Sequence, residues 1–553
     1  MASAAQIVSR TIAVIAAASL LIGCRQLPDD ARVGARPAPT DVPRETPQAA
    51  PIAPKVSREV ALHGSPFGMF YGLTTYRSRP TTQYMVELGA DWTRQTLPWK
   101  GVEPQRGQFK WETVDGAVAM VDAAERAGRP INVLATFRTI SPWAAARAPV
   151  KVREASIPPS DLQDYYRFIN ATVKRARGRV RYWQVDNEAD SPFFWQGSDE
   201  EYVQLLRTAY RAIKDADPQA VVVVSGIQLW RRPMIEDEIA AGRDQRALDV
   251  YRAWAKNNDE AKRAPTPSSA ADLQRMFSQG KAATMGKHQS DFIRRLLDKD
   301  TAQYYDVLDI HIYHPYELIP DIVEWAQATM ARQGYSKPIW LTEVSGPNYP
   351  ELWPNEKVGE RRQAEEVVKR YVLALGSGVE RVFWYVLVAP KHQDTGEWSR
   401  TGLLRRDLSK RPAYHTYRLM TQMLKDSRSV RTLNIGSAVQ AFEFTKPQGS
   451  IYVLWCDEGK TVRLPIGPCR LEIVDALGNR STKETQTEEM ELQLSSTPIF
   501  VKRTALERRS ASLPGPTASA DRHAESLAAH VSLSQPELGA AISSSGPAPS
   551  GDI

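Results

Sequence analysis

The chain has 553 residues, of which 24% are charged, 42% hydrophobic and 8% aromatic, which excludes a collagen-like, wholly disordered or polytopic membrane protein. Its 71 Lys and Arg against 64 Asp and Glu leave a formal charge of +7, too small an excess at this length to call for a nucleic-acid partner. Three cysteines are too few for a disulfide scaffold or a Cys-based zinc module, while 14 Trp and 20 Tyr suit either a large core or a sugar-binding cleft.

Residues 1–23 carry one basic residue, Arg10, followed by the apolar run TIAVIAAASLLIG. The run is shorter than the ~20 residues a bilayer requires and has the length of a secretory core. It ends in Leu21-Ile22-Gly23-Cys24, which resembles the bacterial lipobox and makes Cys24 the lipidation site. The resemblance implies an exported protein anchored to the cell envelope by lipid. Arg25 in place of Asp points to the outer rather than the inner membrane. An ordinary signal peptide with an incidental Cys is the alternative.

Residues 24–63 hold seven prolines between Pro28 and Pro54 and no aromatic residue, so they read as an extended, disordered tether. Residues 64–424 alternate short apolar runs with longer amphipathic ones. Strands are expected at Phe67–Leu73, Trp92–Leu97, Ile131–Phe137, Val180–Val185, Ala220–Ser225, Val307–Ile312, Ile339–Thr342 and Val382–Leu387. Helices fall between them, at Thr113–Ala127, Asp161–Arg175, Asp199–Asp215 and Lys357–Leu375 among others. Eight such units predict an α/β fold, a (β/α)8 TIM barrel. A doubly wound sheet is the alternative, without the glycine-rich phosphate loop that would favour it.

One connection is oversized. Residues 228–287, after the fifth strand, form a charged helical insertion with Trp254 and Phe277. It either overhangs the catalytic face or docks as decoration. From 425 to 503 short alternating strands predict a small C-terminal antiparallel β-sandwich, at Ala438–Phe444, Ile451–Trp455, Thr461–Leu464, Arg470–Val474, Met490–Leu494 and Ile499–Val501. Cys456 and Cys469 lie within it, either bonded or as two buried thiols. Residues 504–553 lack aromatics and read as a disordered tail.

The fourth strand ends in Asp186-Asn187-Glu188 and the seventh in Thr342-Glu343. Strand C-termini converge on one pocket in a barrel, so two glutamates far apart in sequence come to face each other. Glycosidic cleavage needs two such carboxylates, one to protonate the leaving oxygen and one to meet the anomeric carbon. On the sixth strand His311 and Tyr313 share a face, because side chains alternate. Arg94 on the second strand is the candidate cation that keeps Glu343 ionised. No HExxH, CxxC, GxSxG or P-loop motif is present, and His311-Ile312-Tyr313-His314 lacks the clustered partners of a metal site.

These glutamates, with Val102-Glu103-Pro104, Gly107, Trp111, Ser141-Pro142-Trp143, Trp384, Gly402-Leu403-Leu404 and Lys410-Arg411-Pro412-Ala413-Tyr414, resemble the clan A retaining glycoside hydrolases similar to family 39. The resemblance spans about residues 66–503. It implies Glu188 as acid/base and Glu343 as nucleophile, with a raised pKa at Glu188. Asn187, preceding the acid/base, is expected at the sugar 2-hydroxyl, Tyr313 as a donor to Glu343 and Trp384 as an apolar face for the ring, with core packing the alternative for Tyr313 and Trp384. Trp143 and Trp195, on βα loops, are lesser subsite candidates, and His311 is either a site or a core residue. The expected partner is a polysaccharide or oligosaccharide, cut internally, with no metal or organic cofactor. An exo-acting β-xylosidase-like enzyme, a non-catalytic carbohydrate-binding lipoprotein and a structural envelope protein are the rival readings.

Overall fold

The computed structural model describes residues 59–70, 81–138, 141–147, 155–256, 266–313, 315–347, 352–388 and 400–504. The expected signal peptide, Cys24, most of the tether and the tail beyond residue 504 lie outside them.

Strand β1 is Glu59–Ala61. The barrel follows as β2 (Phe67–Phe70), β3 (Trp92–Pro98), β4 (Asn132–Arg138), β5 (Tyr182–Val185), β6 (Val221–Val223), β7 (Leu308–Ile312), β8 (Ile339–Val344) and β9 (Arg381–Tyr385). Neighbours run parallel in the order β6-β5-β4-β3-β2-β9-β8-β7, and parallel bridges Val223–Val307 and Ile227–Ile310 join the two free edges. The fold is therefore the expected (β/α)8 barrel, and β-branched runs buried on both faces are what made its strands visible in sequence.

Helices between the strands begin at recognisable caps. Asp161 accepts from the Gln163 amide ahead of Leu162–Ala176, and Ser198 forms a capping box with Glu201 ahead of Asp199–Ala216. Inside the barrel, one layer is apolar, made by Trp92, Leu134, Val223, Val307, Trp340 and Phe383. Gly68 sits beside it because a Cβ there would meet the Phe383 ring at 2.6 Å. Two residues further along, the inward positions turn polar: Arg94, Thr136, Gln184 and Asp309. An apolar floor beneath a polar layer excludes water from below and opens the chemistry towards the strand C-termini.

The oversized connection between β6 and β7 contains helices Arg231–Ala240, Asp244–Lys256, Ala270–Ser278 and Gly280–Leu296. These dock on the flank. Asp237 accepts from Trp325 at 2.9 Å and pairs with Arg294 and Arg332, Arg295 pairs with Glu200, and Phe292 packs on Tyr202. Trp325, Arg332, Glu200 and Tyr202 belong to neighbouring barrel helices, so these contacts favour docking over an overhang.

The sandwich comprises β10 (Ser429–Thr432), β11 (Gln440–Lys446), β12 (Gly449–Trp455), β13 (Lys460–Pro465), β14 (Cys469–Asp475), β15 (Arg480–Thr485), β16 (Glu489–Leu494) and β17 (Ile499–Thr504). A seven-stranded sheet, β1-β10-β11-β12-β17-β14-β15, faces the β13-β16 pair across a core that includes Leu454, Val462, Leu471, Leu492 and Val501. Cys456 and Cys469 are both free and buried. Strand β15 was not expected, because Arg480–Thr485 is almost wholly polar and exposed and carries no apolar alternation.

The tether is also shorter than expected. Glu59–Ala61 pairs antiparallel with Ser429–Arg431, and the Leu62 amide donates to Arg428 O at 2.8 Å. Three residues are too few for periodicity to reveal, and it is the sandwich edge that orders them. A chain beginning at Gly64 should therefore unfold at a lower Tm than one beginning at Val56, with a loss of about 1–2 kcal/mol in matched melts.

Candidate active site

Arg94 is the centre of the polar layer, with 1% of its surface exposed. Its Nε donates to Gln184 Oε1 at 2.8 Å and Thr136 Oγ1 at 3.1 Å. Nη2 donates to Asn187 Oδ1 at 2.6 Å and Nη1 to Glu343 Oε1. The other oxygen of Glu343 accepts from the Tyr313 hydroxyl. Burial, followed by the charges of Glu343 and Glu188, pushes the Tyr313 phenol well above its ordinary pKa and so keeps it a donor.

Glu343 reaches the interior through an irregularity. On β8, Trp340 and Leu341 are in register with β7 and β9, but the register shifts by a residue before Glu343 and Val344. In a regular strand Trp340 and Glu343 would face opposite sides. The extra residue resets the alternation, so both point inward. On β5 the corresponding device is a pair of left-handed residues, Asp186 (φ 63°) and Glu188 (φ 47°). Non-glycine residues in that region are uncommon, and here the strained turn carries Glu188 over the barrel mouth.

Glu188 and Glu343 converge with His311. One oxygen of each carboxylate and a ring nitrogen of His311 lie within 4.8 Å of one another. His311 Nδ1 is 2.7 Å from Glu188 Oε1 and 3.8 Å from Glu343 Oε2, while Nε2 is 3.2 Å from both Asp309 Oδ2 and Thr342 Oγ1. Burial raises the Glu188 pKa, and Glu343 adds to the rise while His311 and Arg94 oppose it. For His311 burial acts downward, but Glu343, Asp309 and Glu188 outweigh it and lift the imidazole to about 10. Two glutamates and a histidine have the composition of a metal-ligand set. Here His311 Nδ1 and Glu188 Oε1 stand at hydrogen-bond distance.

Trp384 departs from expectation. It is fully buried, and its Nε1 donates to Thr401 O at 2.9 Å. Phe383 lies in the inner layer, so alternation turns Trp384 outward to the helices and its neighbour Tyr385 inward. Tyr385 stacks on Phe70 at 5.0 Å and meets the Tyr313 ring at 6.0 Å. The aromatic wall of the site is therefore Phe70, Tyr313 and Tyr385. Trp143 stands further out, donating to Glu103 O at 2.9 Å beneath Arg106. Trp195 is buried, with its Nε1 on Ser198 O, and serves the loop rather than a subsite.

Asp309 and Gln184 have no role assigned from sequence, and Asp186 and Asp190 are placed there near Glu188 without one. Asp309 and Gln184 each sit two residues from a residue facing inward, His311 and Tyr182, and period-two alternation was the available signal. Asp186 pairs with Arg138, whose guanidinium covers the Phe194 ring. Asp190 Oδ2 accepts from the amides of Gln228 and Leu229 at 3.0 and 2.7 Å, which ties the oversized connection to the Glu188 loop.

Residues 262–410 match the family model described as glycosyl hydrolase catalytic core. The endo-1,4-beta-xylanase 3 of Hypocrea jecorina is 24% identical over 175 residues, which make up 30% of this chain and 47% of the xylanase. The chain thus spans about half the length of the curated relatives it matches. A family 39 glycoside hydrolase from Bacteroides cellulosilyticus superposes with a TM-score of 0.53 at 18% identity, covering 79% of this chain and 81% of that one. A monomeric β-xylosidase from Caulobacter crescentus gives 0.53 at 12%, covering 81% and 98%. At these identities the likeness is one of fold.

Asp190 yields a test of the site's electrostatics. Burial, with the Glu188 charge behind it, pushes its carboxyl up to about 7, and Oδ1 is buried without a hydrogen-bond partner among the described residues. The folded state thus holds this proton more tightly than the unfolded chain. The stability it contributes is complete below about pH 4 and is lost as pH rises through about 7. Asp190→Asn should raise Tm over the wild type at about pH 8 and leave it nearly unchanged at about pH 4.

Proposed function

We propose that the protein is a retaining glycoside hydrolase acting on a polysaccharide or oligosaccharide, with Glu188 as acid/base and Glu343 as nucleophile. The observation that carries this reading is the opposed environment of two close carboxylates. Glu343 accepts hydrogen bonds from a guanidinium and a phenol. Glu188 is buried and pushed towards the protonated form. Pairs whose surroundings drive them apart are the mark of divided acid and nucleophile roles.

Retaining enzymes hold their carboxyls ~5–5.5 Å apart, whereas inverting ones leave ~6.5–9.5 Å for a water. Oxygens of Glu188 and Glu343 within 4.8 Å support the retaining mode. In the first half-reaction the acid's proton passes to the leaving oxygen as a Glu343 oxygen bonds the anomeric carbon. In the second, water attacks that carbon and returns a proton to Glu188. Asn187, oriented by Arg94, is offered to the sugar 2-hydroxyl, and Phe70 and Tyr385 provide the apolar wall.

The family-model match supports glycosidase chemistry, and the names of the relatives make β-linked xylans the first substrates to try. We favour internal cleavage of an envelope or secreted exopolysaccharide. Terminal cleavage of the β-xylosidase kind is the second reading, favoured by the likeness to the Caulobacter enzyme. Wild type should release reducing ends from at least one member of a glycan panel. Glu343→Gln should bind that glycan and lose at least about a thousandfold in kcat. Product lengths separate internal from terminal cleavage. Tight binding by a folded wild type, without release and unaltered in Glu343→Gln, would favour a binding protein instead.

We further infer export and lipid anchoring through Cys24, most consistent with the outer membrane. Supporting this are the short apolar core and the Gly23-Cys24 junction. Cys24→Ala expressed in a bacterium should move the protein from the membrane pellet to the soluble fraction and abolish labelling by a radioactive fatty acid.

A further inference from the structure

The proton that serves the leaving group has a second holder. Beneath His311, Asp309 is fully buried and bound on every side. It accepts from Gln184 Nε2 at 2.6 Å, from the Thr342 amide at 2.9 Å and from Thr342 Oγ1 at 2.5 Å. Because Thr342 spends its hydroxyl hydrogen on Asp309, both groups facing His311 Nε2 are acceptors. Nε2 must therefore carry a hydrogen. The ring is also pressed in place from the loop after β6, where a Cβ on Gly226 would lie 2.2 Å from Nε2. On the opposite side, Nδ1 and Glu188 Oε1 stand 2.7 Å apart, with room for one proton between them.

We propose that Asp309 is a positioning residue which fixes the Nε2–H form of His311, so that Nδ1 and Glu188 Oε1 share a single proton and the Glu188–His311 pair acts as the acid. The catalytic consequence rests on the glycosidase reading above; the placement of the proton does not. In the first half-reaction the shared proton goes to the leaving oxygen, which also takes the electron pair of the broken bond to the anomeric carbon. Glu188 is left as carboxylate facing Nδ1 of a neutral imidazole, which keeps its Nε2 hydrogen on Asp309. In the second half-reaction the attacking water gives its proton back to the pair, and Glu343 regains the electron pair of its ester bond.

The charged and titratable groups around His311 are Glu188 and Asp190 from the β5 loop, Asp309 and Tyr313 from β7 and its extension, Glu343 from β8, Arg94 from β3 and Tyr385 from β9. Among them Asp309 is the carboxylate placed to act on Nε2. The His311 cation in turn outweighs burial and holds the Asp309 carboxyl below its usual range. Removing its negative charge destabilises the protonated pair, so the pair loses its proton at lower pH.

The test is ¹⁵N imidazole NMR of the whole protein, whose eight histidines leave His311 assignable by its absence in His311→Gln. In wild type, His311 Nε2 should stay protonated from about pH 5 to about pH 9 while Nδ1 titrates in one alkaline step. In Asp309→Asn that step, and the alkaline limb of kcat/KM, should fall by about one unit or more. Adding Asp309→Asn to His311→Gln should shift the limb no further, which a merely structural role would not predict. A folded Asp309→Asn with both the step and the limb unmoved overturns the proposal. If that variant does not fold, a wild-type His311 whose Nε2 is unprotonated overturns it equally. Should no glycan be cleaved at all, the glycosidase reading fails and the spectra still decide the proton's place.

Discussion

A guanidinium buried in the middle of a barrel is the constraint on which this structure turns. Arg94 cannot shed its proton, and leaving it unpaired in an apolar interior would cost several kcal/mol. Its donors meet Thr136 on β4, Gln184 at the end of β5, Asn187 beyond it and Glu343 on β8. A slip of one residue in any of those strands would replace an acceptor with an outward-facing neighbour. The same group thus fixes the register of four strands and the rotamer of Asn187, and it donates to Glu343. Stability and chemistry are written in the same contacts.

Much of this was visible in the sequence, and the reasons for success and failure are physical. The barrel strands were legible because burial on both faces demands continuous β-branched runs such as Val221-Val222-Val223, flanked by long amphipathic helices. Glu188 and Glu343 were legible because strand C-termini meet at one face. Their routes into the site were not. Alternation carried forward from Trp340 would have sent Glu343 outward, and only the register shift on β8 brings it in. Trp384 fails for the same cause in reverse: on a five-residue strand, one step of parity separates a core tryptophan from the tyrosine that faces the carboxylates. Asp309 was hidden differently, since its importance lies in the tautomer it imposes on a neighbour.

The oversized connection shows how a loop outside the chemistry is tied to it. Its first residues hang on Asp190, two positions from Glu188, while its helices are riveted to the flank through Asp237 and Arg295. The strained Glu188 turn is thereby held from both sides. Backbone in a sparsely populated region persists only where its surroundings over-determine it. The Ala189 amide on Ser225 Oγ and the Tyr202 hydroxyl on Val185 O complete that enclosure.

Under the proposed mechanism, charge is what would distinguish an enzyme from a module that merely binds sugar. In the proposed mechanism Arg94 contributes one positive charge, Glu343 and Asp309 one negative charge each, and the Glu188–His311 pair with its shared proton none. The sum over these groups is one negative charge beneath the barrel mouth, above a floor of tryptophan and phenylalanine. A neutral saccharide gains nothing from it that neutral donors would not supply, and burying it is costly. An anomeric centre turning positive gains directly, because the attraction exists only while that charge is present. In the proposed mechanism, once Glu343 is bonded to the sugar and the pair has given up its proton, the sum is again one negative charge, now at Glu188, where the incoming water must lose a proton. On that proposal the site keeps its net charge through both halves of the reaction while moving it between two glutamates.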